Sequence, residues 1–194
     1  MLLLQEAQTG VIGNSSVLPA LAEAARESGA TENMVRAADA ARRADVRVIH
    51  CTAESLPEQF GSNRNARLFG AARRRQTGAT NTPGSPSVRP IPELGPGPSD
   101  IVLPRYHGLS PMTGTHLDSL LRNEGVTTVV VVGVSLNVAI PNLVFDSVNR
   151  SYQVVVVRDA VAGVPADYGR QVIEHTLGLV ATLVTADELV EAWG

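Results

Sequence analysis

The segment Thr127–Ile140, with the sequence TTVVVVGVSLNVAI, constrains the fold of this chain more than any other. β-Branched residues fill it as far as Gly133, a short turn follows, and a helical pattern begins near Asn137. Such a run is typical of a strand that is buried on both faces of a parallel sheet. In open α/β sheets, ligands bind where a strand of this kind turns into a helix. The segment therefore predicts a parallel sheet with a ligand site at its carboxyl edge.

Strand and helix patterns alternate along the whole chain. The predicted strands are Leu2–Ala7, Val46–Thr52, Asp100–Leu103, Thr127–Val132, Gln153–Val157 and Ala181–Thr185. The predicted helices are Val17–Ser28, a helix capped by Thr31 that ends near Ala44, a helix capped by Thr115 that ends at Gly125, and Val138–Asn149, Ala166–Gly178 and Ala186–Trp193. This order predicts an α/β protein with a three-layer α/β/α Rossmann-like fold and a mostly parallel sheet of about six strands.

A chain of 194 residues is expected to form one domain, residues 1–194. Residues 76–99 are rich in proline, glycine, serine and threonine, and they predict a long irregular loop within that domain. A loop of this length is usually functional or mobile. The preceding segment, Asn63–Arg75, carries five arginines and an apolar edge at Leu68 and Phe69. We interpret it as a contact surface or lid, or as an anion clamp near the site.

Composition narrows the class of partner. The formal net charge of −3 argues against a general nucleic-acid surface, which needs a basic excess. The longest apolar runs, Val129–Val132 and Val154–Val157, are far too short to span a membrane. The lone cysteine, Cys51, excludes an internal disulfide and fits a reducing cytoplasm. We therefore expect a cytoplasmic protein that acts on a small molecule, with no nucleic-acid or membrane partner. A nucleotide-binding domain is disfavoured, because no Gly-x-Gly-x-x-Gly follows a strand.

Several short motifs, in this order, resemble those of the isochorismatase-like (cysteine hydrolase) superfamily. They are LLQEAQ at Leu3–Gln8, GTHLD at Gly114–Asp118, GV at Gly133–Val134, YQV and RDA within Tyr152–Ala160, and the closing Thr185–Leu189. The resemblance covers nearly the whole chain. It implies a hydrolase that acts on a small carbonyl, amide or vinyl-ether substrate and assembles as a homodimer or homotetramer. It implies no metal or other cofactor here, since the Asp-x-His-x-His signature of the superfamily's nicotinamidases is absent.

The three catalytic positions of the superfamily are all altered in this chain. Its aspartate base, its lysine and its nucleophilic cysteine match Glu6, Arg105 and Ala139. The lysine match stays open between Arg105 and Tyr106, because the segment LPRYHGLSPMTGT is one residue longer than its counterpart. An alanine cannot attack a carbonyl. The resemblance therefore implies acid–base chemistry through Glu6 with water as nucleophile, as in the true isochorismatases, which also lack the cysteine. Arg105 would orient the substrate or Glu6 itself.

The resemblance also implies a cis peptide bond between Val134 and Ser135, which together with Ala139 would aim backbone N–H groups at an oxyanion. Further candidate pocket residues are His50, which is predicted to end the second strand, His107, which follows the third strand, and Tyr106 and Asn137.

Two alternatives remain open from the sequence. Cys51 could serve as a relocated nucleophile beside His50, although a cysteine in such a strand usually packs as a small hydrophobe. The other alternative is a non-catalytic pseudoenzyme that keeps the pocket for ligand binding or assembly, because all three catalytic positions are altered.

Overall fold

The computed structural model of the protein describes residues 1–75 and 81–194. Its strands are β1 (Leu2–Gln5), β2 (Val48–Ala53), β3 (Ile101–Arg105), β4 (Thr128–Val134), β5 (Gln153–Ala162) and β6 (Thr182–Val184). Within the described residues they form one six-stranded sheet in the order β3-β2-β1-β4-β5-β6, and every neighbouring pair is parallel. The predicted α/β fold with a parallel sheet is confirmed.

Helices cover both faces of this sheet. They are α1 (Pro19–Glu27), α2 (Ala30–Arg43), α3 (Arg67–Arg75), α4 (Leu117–Asn123), α5 (Ala139–Asn149), α6 (Ala166–His175) and α7 (Ala186–Trp193). One core cluster joins α1, α2 and α7 to the sheet, and the other joins α4, α5 and α6 to its opposite face. Alternate residues of β1 enter the two clusters: Leu2 and Leu4 the first, Leu3 the second. The predicted three layers result from this alternation of buried side chains.

The strand order places a topological switch point between β1 and β4. The chain leaves β1 toward β2 on one side, whereas β4 continues toward β5 on the other. In doubly wound sheets, the crevice at the carboxyl end of such a pair is the usual ligand site. The residues that follow these two strands, Glu6 and Ser135, therefore lie at the position that the topology favours for binding.

Most boundaries agree with the sequence-based prediction within two residues, but β5 is five residues longer than predicted. It continues through the polar pair Arg158 and Asp159, and the ladder with β4 shifts register between Val131 and Gly133. Polar residues in the middle of a strand hide its continuation from pattern analysis. β3 also runs further, through Pro104, which a strand at the edge of a sheet tolerates because one side carries no partner.

Three helix boundaries were predicted wrongly. Thr31 does not cap α2, because the helix already begins at Ala30 after Gly29, whose φ of 75° lets the chain turn directly out of α1. Helix α6 ends at His175, and a separate 3₁₀ turn covers Leu177–Leu179. Thr115 was likewise predicted to cap α4, but the N-cap is His116; the Thr115 hydroxyl, one residue earlier, accepts the Leu117 N–H at 3.1 Å.

Only part of the predicted loop at 76–99 can be compared, since residues 76–80 lie outside the described residues. The described remainder contains two short 3₁₀ turns, Pro86–Val88 and Pro92–Leu94. It buries Val88, Ile91 and Leu94 against the first core cluster. This half of the loop is therefore packed structure. Among the helices of the described residues, none has both the length and the apolar character needed to cross a membrane.

The pairing of β1 with β4 depends on Gly133. Its φ is 117°, and a Cβ atom at this position would lie 2.1 Å from the Gln5 carbonyl oxygen. Both the backbone conformation and the close approach of the two strands therefore require glycine. This contact sets the spacing of the two strand ends that flank the switch point.

We predict that Gly133→Ala lowers the free energy of unfolding by about 3 kcal/mol or more, because the methyl group meets a backbone atom that cannot move alone. Gly125→Ala is the matched control: its φ is also positive, at 63°, but no atom lies within 4 Å of the added Cβ. That variant should lose only about 1 kcal/mol through backbone strain. Urea unfolding of both variants measures the difference, and equal losses would contradict the contact.

A buried ionic cluster fixes α2 against the start of β3. Arg42 donates to Asp100 Oδ2 at 2.7 Å, and His50 Nε2 lies 2.9 Å from the same oxygen. Burial opposes ionisation of Asp100, but hydrogen bonds from Arg42 and His50 outweigh it, and the pKa of Asp100 is lowered. Burial lowers the pKa of His50, and its Asp100 contact offsets this only in part. His50 Nδ1 is buried and has no hydrogen-bond partner among the described residues, so its protonation would bury an unsatisfied N–H.

We predict that acid destabilises the fold through His50. A base whose pKa is lower in the folded state binds its proton more readily when unfolded, so stability falls as pH drops below the unfolded pKa of about 6.5. Urea unfolding at pH 7.5, 6.5 and 5.5 should show this loss in the wild type and a smaller loss in His50→Gln. His175→Gln, at an exposed helix end, should keep the wild-type slope. An unchanged slope in His50→Gln would exclude His50 as its source.

Candidate active site

Glu6 and Arg105 meet at the carboxyl edge of the sheet. Glu6 follows β1 directly, with a φ of 52°, and its N–H donates to the Cys51 carbonyl of β2 at 2.9 Å. Arg105 ends β3, two strands away, and its Nη2 donates to Glu6 Oε1. The pair is largely buried, with side-chain exposures of 17 % for Glu6 and 12 % for Arg105. The structure thus brings together two of the three residues that the resemblance singled out.

The same Glu6 oxygen has a second donor. Gln5 Nε2 donates to Glu6 Oε1 at 2.9 Å, and neither this amide nitrogen nor a guanidinium can accept a hydrogen bond. Glu6 Oε1 is therefore an acceptor on both contacts. Glu6 Oε2 has no hydrogen-bond partner among the described residues, and Glu6 lines the large cavity described below. The oxygen without a partner is the one that can exchange a proton with a bound molecule.

Arg105 is held by its surroundings rather than free to bind an anion. Its Nη1 donates to the Gly108 carbonyl at 2.8 Å, and its Nη2 is engaged by Glu6. Its Nε is buried without a hydrogen-bond partner in the described part of the chain. The sequence left the lysine position open between Arg105 and Tyr106. In the structure Arg105 contacts Glu6, whereas Tyr106 lines a smaller adjoining pocket of about 160 Å³ together with the exposed His107.

The turn after β4 supplies the third part of the site. The Val134–Ser135 peptide bond is cis, as the resemblance implied. Val138 and Ile140 both donate backbone hydrogen bonds to the Ser135 carbonyl, at 3.3 and 3.0 Å. Pro141 has no N–H, and so the N–H of Ala139 is the donor in the first turn of α5 that lacks an acceptor among the described residues. Ala139 lines the cavity, which makes this N–H a candidate donor to a bound ligand.

Asn137 has a structural role in this turn. Its Oδ1 accepts the Val164 N–H at 2.9 Å, and its Nδ2 donates to the Val164 carbonyl. These two bonds tie the turn after β4 to the turn after β5. The side chain lines the cavity but its amide is already engaged, which makes Asn137 a positioning residue.

A cavity of about 730 Å³ opens above these groups. Its floor includes Glu6, Arg105, Ser135 and Ala139. The walls come from the residues that precede and begin α1 and from the first half of α3, and they are mostly apolar. A volume of this size is typical of small-molecule sites.

His50 does not reach this cavity, contrary to the prediction that it ends a strand near Glu6. It lies in the middle of β2, in register with Leu4 of β1, and is 2 % exposed. Its side chain contacts Asp100, near the beginning of β3. The error has a simple cause: β2 continues three residues beyond His50, to Ala53.

Glu54 is a candidate that the sequence reasoning missed. It follows β2 directly, and its N–H donates to the Arg105 carbonyl at 2.9 Å. Its side chain lines the smaller pocket beside Arg105. Burial raises the pKa of the Glu54 carboxyl, and the hydrogen bond from Thr52 opposes the shift. The available signal was its position: it is the first acidic residue after a parallel strand, at the same edge as Glu6.

Cys51 packs as a hydrophobe. It is 2 % exposed and belongs to the second core cluster. Burial raises the pKa of its thiol to about 12. A nucleophilic cysteine needs the thiolate and an exposed position, so Cys51 does not replace the missing nucleophile. The chain contains no lysine at all, and the superfamily's cysteine–lysine pair therefore cannot be rebuilt from other positions. The described residues contain no cluster of three or more histidine, cysteine or carboxylate side chains suited to a metal ion.

Comparison with known proteins agrees with the resemblance seen in the sequence. Residues 1–188 match the profile of the isochorismatase domain. Among curated proteins, the ureidoacrylate amidohydrolase RutB of Methylorubrum extorquens is 41 % identical over 80 residues, and that of Agrobacterium fabrum is 33 % identical over 99 residues. These matches cover 39 % and 48 % of this chain, but only 31 % and 42 % of the relatives. The chain thus spans less than half the length of these relatives.

Solved structures share the fold. A cysteine hydrolase from Pseudomonas syringae pv. phaseolicola superposes with a TM-score of 0.80 at 22 % identity, covering 100 % of this chain and 92 % of that one. The N-carbamoylsarcosine amidase of Thermoplasma acidophilum superposes with a TM-score of 0.73 at 21 % identity, covering 96 % and 95 %. At these identities the likeness concerns the fold.

We predict that the Cys51 thiol is inert in the folded protein. A pKa near 12 reduces the thiolate at pH 7.5 by about three orders of magnitude relative to a free cysteine. Ellman's reagent should therefore react with the native protein at least about 1,000-fold more slowly than with the same protein in 6 M guanidinium chloride. Rapid labelling of the native protein would contradict the burial of Cys51 and reopen its role as a nucleophile.

Proposed function

The chain belongs to the isochorismatase family, and we propose that it is a hydrolase which works without a covalent cysteine intermediate. In this proposal Glu6 is the acid–base residue, water is the nucleophile, and the substrate is a small carbonyl, amide or vinyl-ether compound. The observation that carries the proposal is the geometry of Glu6. One carboxylate oxygen is fixed by Arg105 and Gln5, and the other has no partner among the described residues, in a residue that lines the cavity.

Glu6 is best suited to act first as a base. Its free oxygen accepts a proton from a bound water, and the water oxygen forms a bond to the substrate carbonyl carbon. For an amide, the carbon–nitrogen bond then breaks and Glu6 returns the proton to the leaving nitrogen. The products are a carboxylic acid and an amine, and Glu6 regains its starting state. No covalent bond to the protein forms, which is consistent with a methyl group at Ala139.

The turn after β4 would stabilise the charge that develops on the carbonyl oxygen. The N–H groups of Val138 and Ile140 donate to the Ser135 carbonyl, whereas the N–H of Ala139 has no acceptor among the described residues. A fixed donor of this kind acts most strongly where charge appears in the transition state.

The curated relatives suggest a class of reaction to test first. Their name specifies amide hydrolysis of ureidoacrylate, and amide chemistry agrees with Glu6 acting as a base. We therefore favour an amide. The single-domain organisation, the homo-oligomeric state and the cytoplasmic location stay predictions.

A second function is supported by the same contacts. The terminal nitrogens of Arg105 are engaged with Glu6 and Gly108, and Ala139 has no nucleophilic atom. A closed ion pair beneath an apolar cavity is also what a pseudoenzyme would keep for binding alone. The two functions differ in catalytic turnover. A protein that binds amides, esters or vinyl ethers but turns none of them over would be a pseudoenzyme.

We predict that Glu6→Gln lowers kcat by at least about 100-fold on the best substrate from an amide, ester and vinyl-ether screen, because a carboxamide cannot accept the proton. Arg105→Lys should lower kcat less, because a lysine keeps the positive charge but cannot donate to both Glu6 and the Gly108 carbonyl in the geometry of the guanidinium. Glu23→Gln, an exposed change in α1, is the control, and Cys51→Ala should leave kcat unchanged within twofold. Turnover that survives Glu6→Gln, or that Cys51→Ala abolishes, would refute the mechanism.

A further inference from the structure

We infer that the cavity binds a molecule with an uncharged polar end, seated at Glu6, and an apolar tail that runs between α1 and α3. The placement of the polar end rests on the proposed function, whereas the apolar tail rests on the cavity walls alone. The occupant is therefore an amphiphilic amide or a related neutral carbonyl compound rather than a small, fully polar one.

The size of the cavity exceeds what the reaction needs. A carbonyl group with an attacking water occupies one end of a space of about 730 Å³. Pockets of 300–1,000 Å³ hold ligands of drug size and bury most of their surface. The remaining volume must hold either a substantial part of the ligand or water against an apolar wall, and the second arrangement is unfavourable.

The lining beyond the reacting groups is mostly apolar, although Asn81 belongs to it. Val17, Leu18 and Leu21, which precede and line α1, form one apolar part of it. Leu68 and Phe69 of α3 form another. These side chains leave few partners for a polar tail, whereas each buried CH₂ group of an apolar tail strengthens binding about fourfold.

The polar end is expected to be uncharged. The charged residues among the described residues that line the cavity are Glu6 and Arg105, and they contact each other. Their charges cancel, and both terminal nitrogens of Arg105 already donate, one to Glu6 and one to the Gly108 carbonyl, which leaves the buried Nε as its nitrogen without a partner among the described residues. A carboxylate placed here would meet Glu6 without gaining a free cation. An amide can donate to Glu6 Oε2 and accept from the Ala139 N–H.

The depth of the cavity favours a narrow chain over a protein partner. Leu68 is 49 % exposed at the mouth, whereas Ala139 at the floor is 5 % exposed. A flat protein surface could cover Leu68 but could not reach Glu6 and Ala139. A linear tail attached to a small head group spans both.

The test is isothermal titration calorimetry with a homologous series of linear amides: acetamide, butanamide, hexanamide and octanamide. We expect Kd to fall about three- to fourfold per added CH₂. Hexanoate and hexylamine, which carry a charge at the same end, should bind at least tenfold more weakly than hexanamide. A Kd that does not depend on chain length, or tighter binding of hexanoate, would overturn the inference.

A matched pair of variants locates the tail. Leu68→Gln should raise the Kd of octanamide about tenfold and change the Kd of acetamide by less than about twofold, because only the long tail reaches α3. Leu179→Gln replaces another exposed leucine, 81 % exposed and outside the cavity, and should leave both unchanged. Both positions are exposed at the surface, so neither change should unfold the protein. Equal effects of the two substitutions would contradict the assigned tail path.

These measurements fail separately from the proposed function. Chain-length-dependent binding without turnover leaves this inference standing and refutes the hydrolase mechanism. Turnover that depends on Glu6 but not on the chain length of the amide supports the hydrolase mechanism and refutes the apolar tail. The other possible occupant of the cavity is a second copy of this chain, which sedimentation velocity can detect. If Leu68→Gln dissociates an oligomer and the Kd of the amides does not depend on chain length, a second copy covers the apolar wall and the inference is wrong.

Discussion

The pairing of β1 between β2 and β4 is the constraint on which the rest of the structure depends. Leu2–Gln5 runs parallel to Val48–Cys51 on one side and to Val130–Gly133 on the other. Both faces of these strands are buried, so the register cannot slip without moving apolar side chains out of their layers. Because the strands are parallel, their carboxyl ends share one edge. The site residues meet there although almost the whole chain separates their positions in sequence.

The Glu6–Arg105 ion pair distinguishes this site from a cysteine hydrolase site. A largely buried pair is strongly sensitive to the loss of one partner, since the other is left as an uncompensated charge. It also fixes which oxygen of Glu6 is available, through contacts to Oε1. A lysine ammonium can donate and release a proton, whereas a guanidinium stays protonated. The chain has no lysine and Cys51 is buried, and the proposed function therefore assigns proton transfer to Glu6.

The fold could be predicted from the sequence because most of its strands contain a run of apolar residues and its helices have apolar faces. The meeting of Glu6 with Arg105 could be expected once both were placed at strand ends. The position of His50 inside β2 and the end of β5 could not be predicted. His50 is a polar residue within a strand, and Arg158 and Asp159 interrupt the apolar pattern of β5. Their partners lie far away in sequence, as with Asp100 for His50. Glu54 could have been found from its position directly after β2, whereas its contact with the Arg105 carbonyl depends on strand pairing.

The apolar walls and the Glu6 chemistry support each other. An apolar tail that fills the space between α1 and α3 removes bulk water from above Glu6 and Ala139. Electrostatic interactions strengthen as the surrounding dielectric falls, and the contact of the Ala139 N–H with a developing oxyanion would strengthen with them. A site that has lost its thiol must raise the reactivity of a single water. Excluding all other water is one way in which substrate binding can contribute to that step, and it links the apolar cavity to the loss of the cysteine.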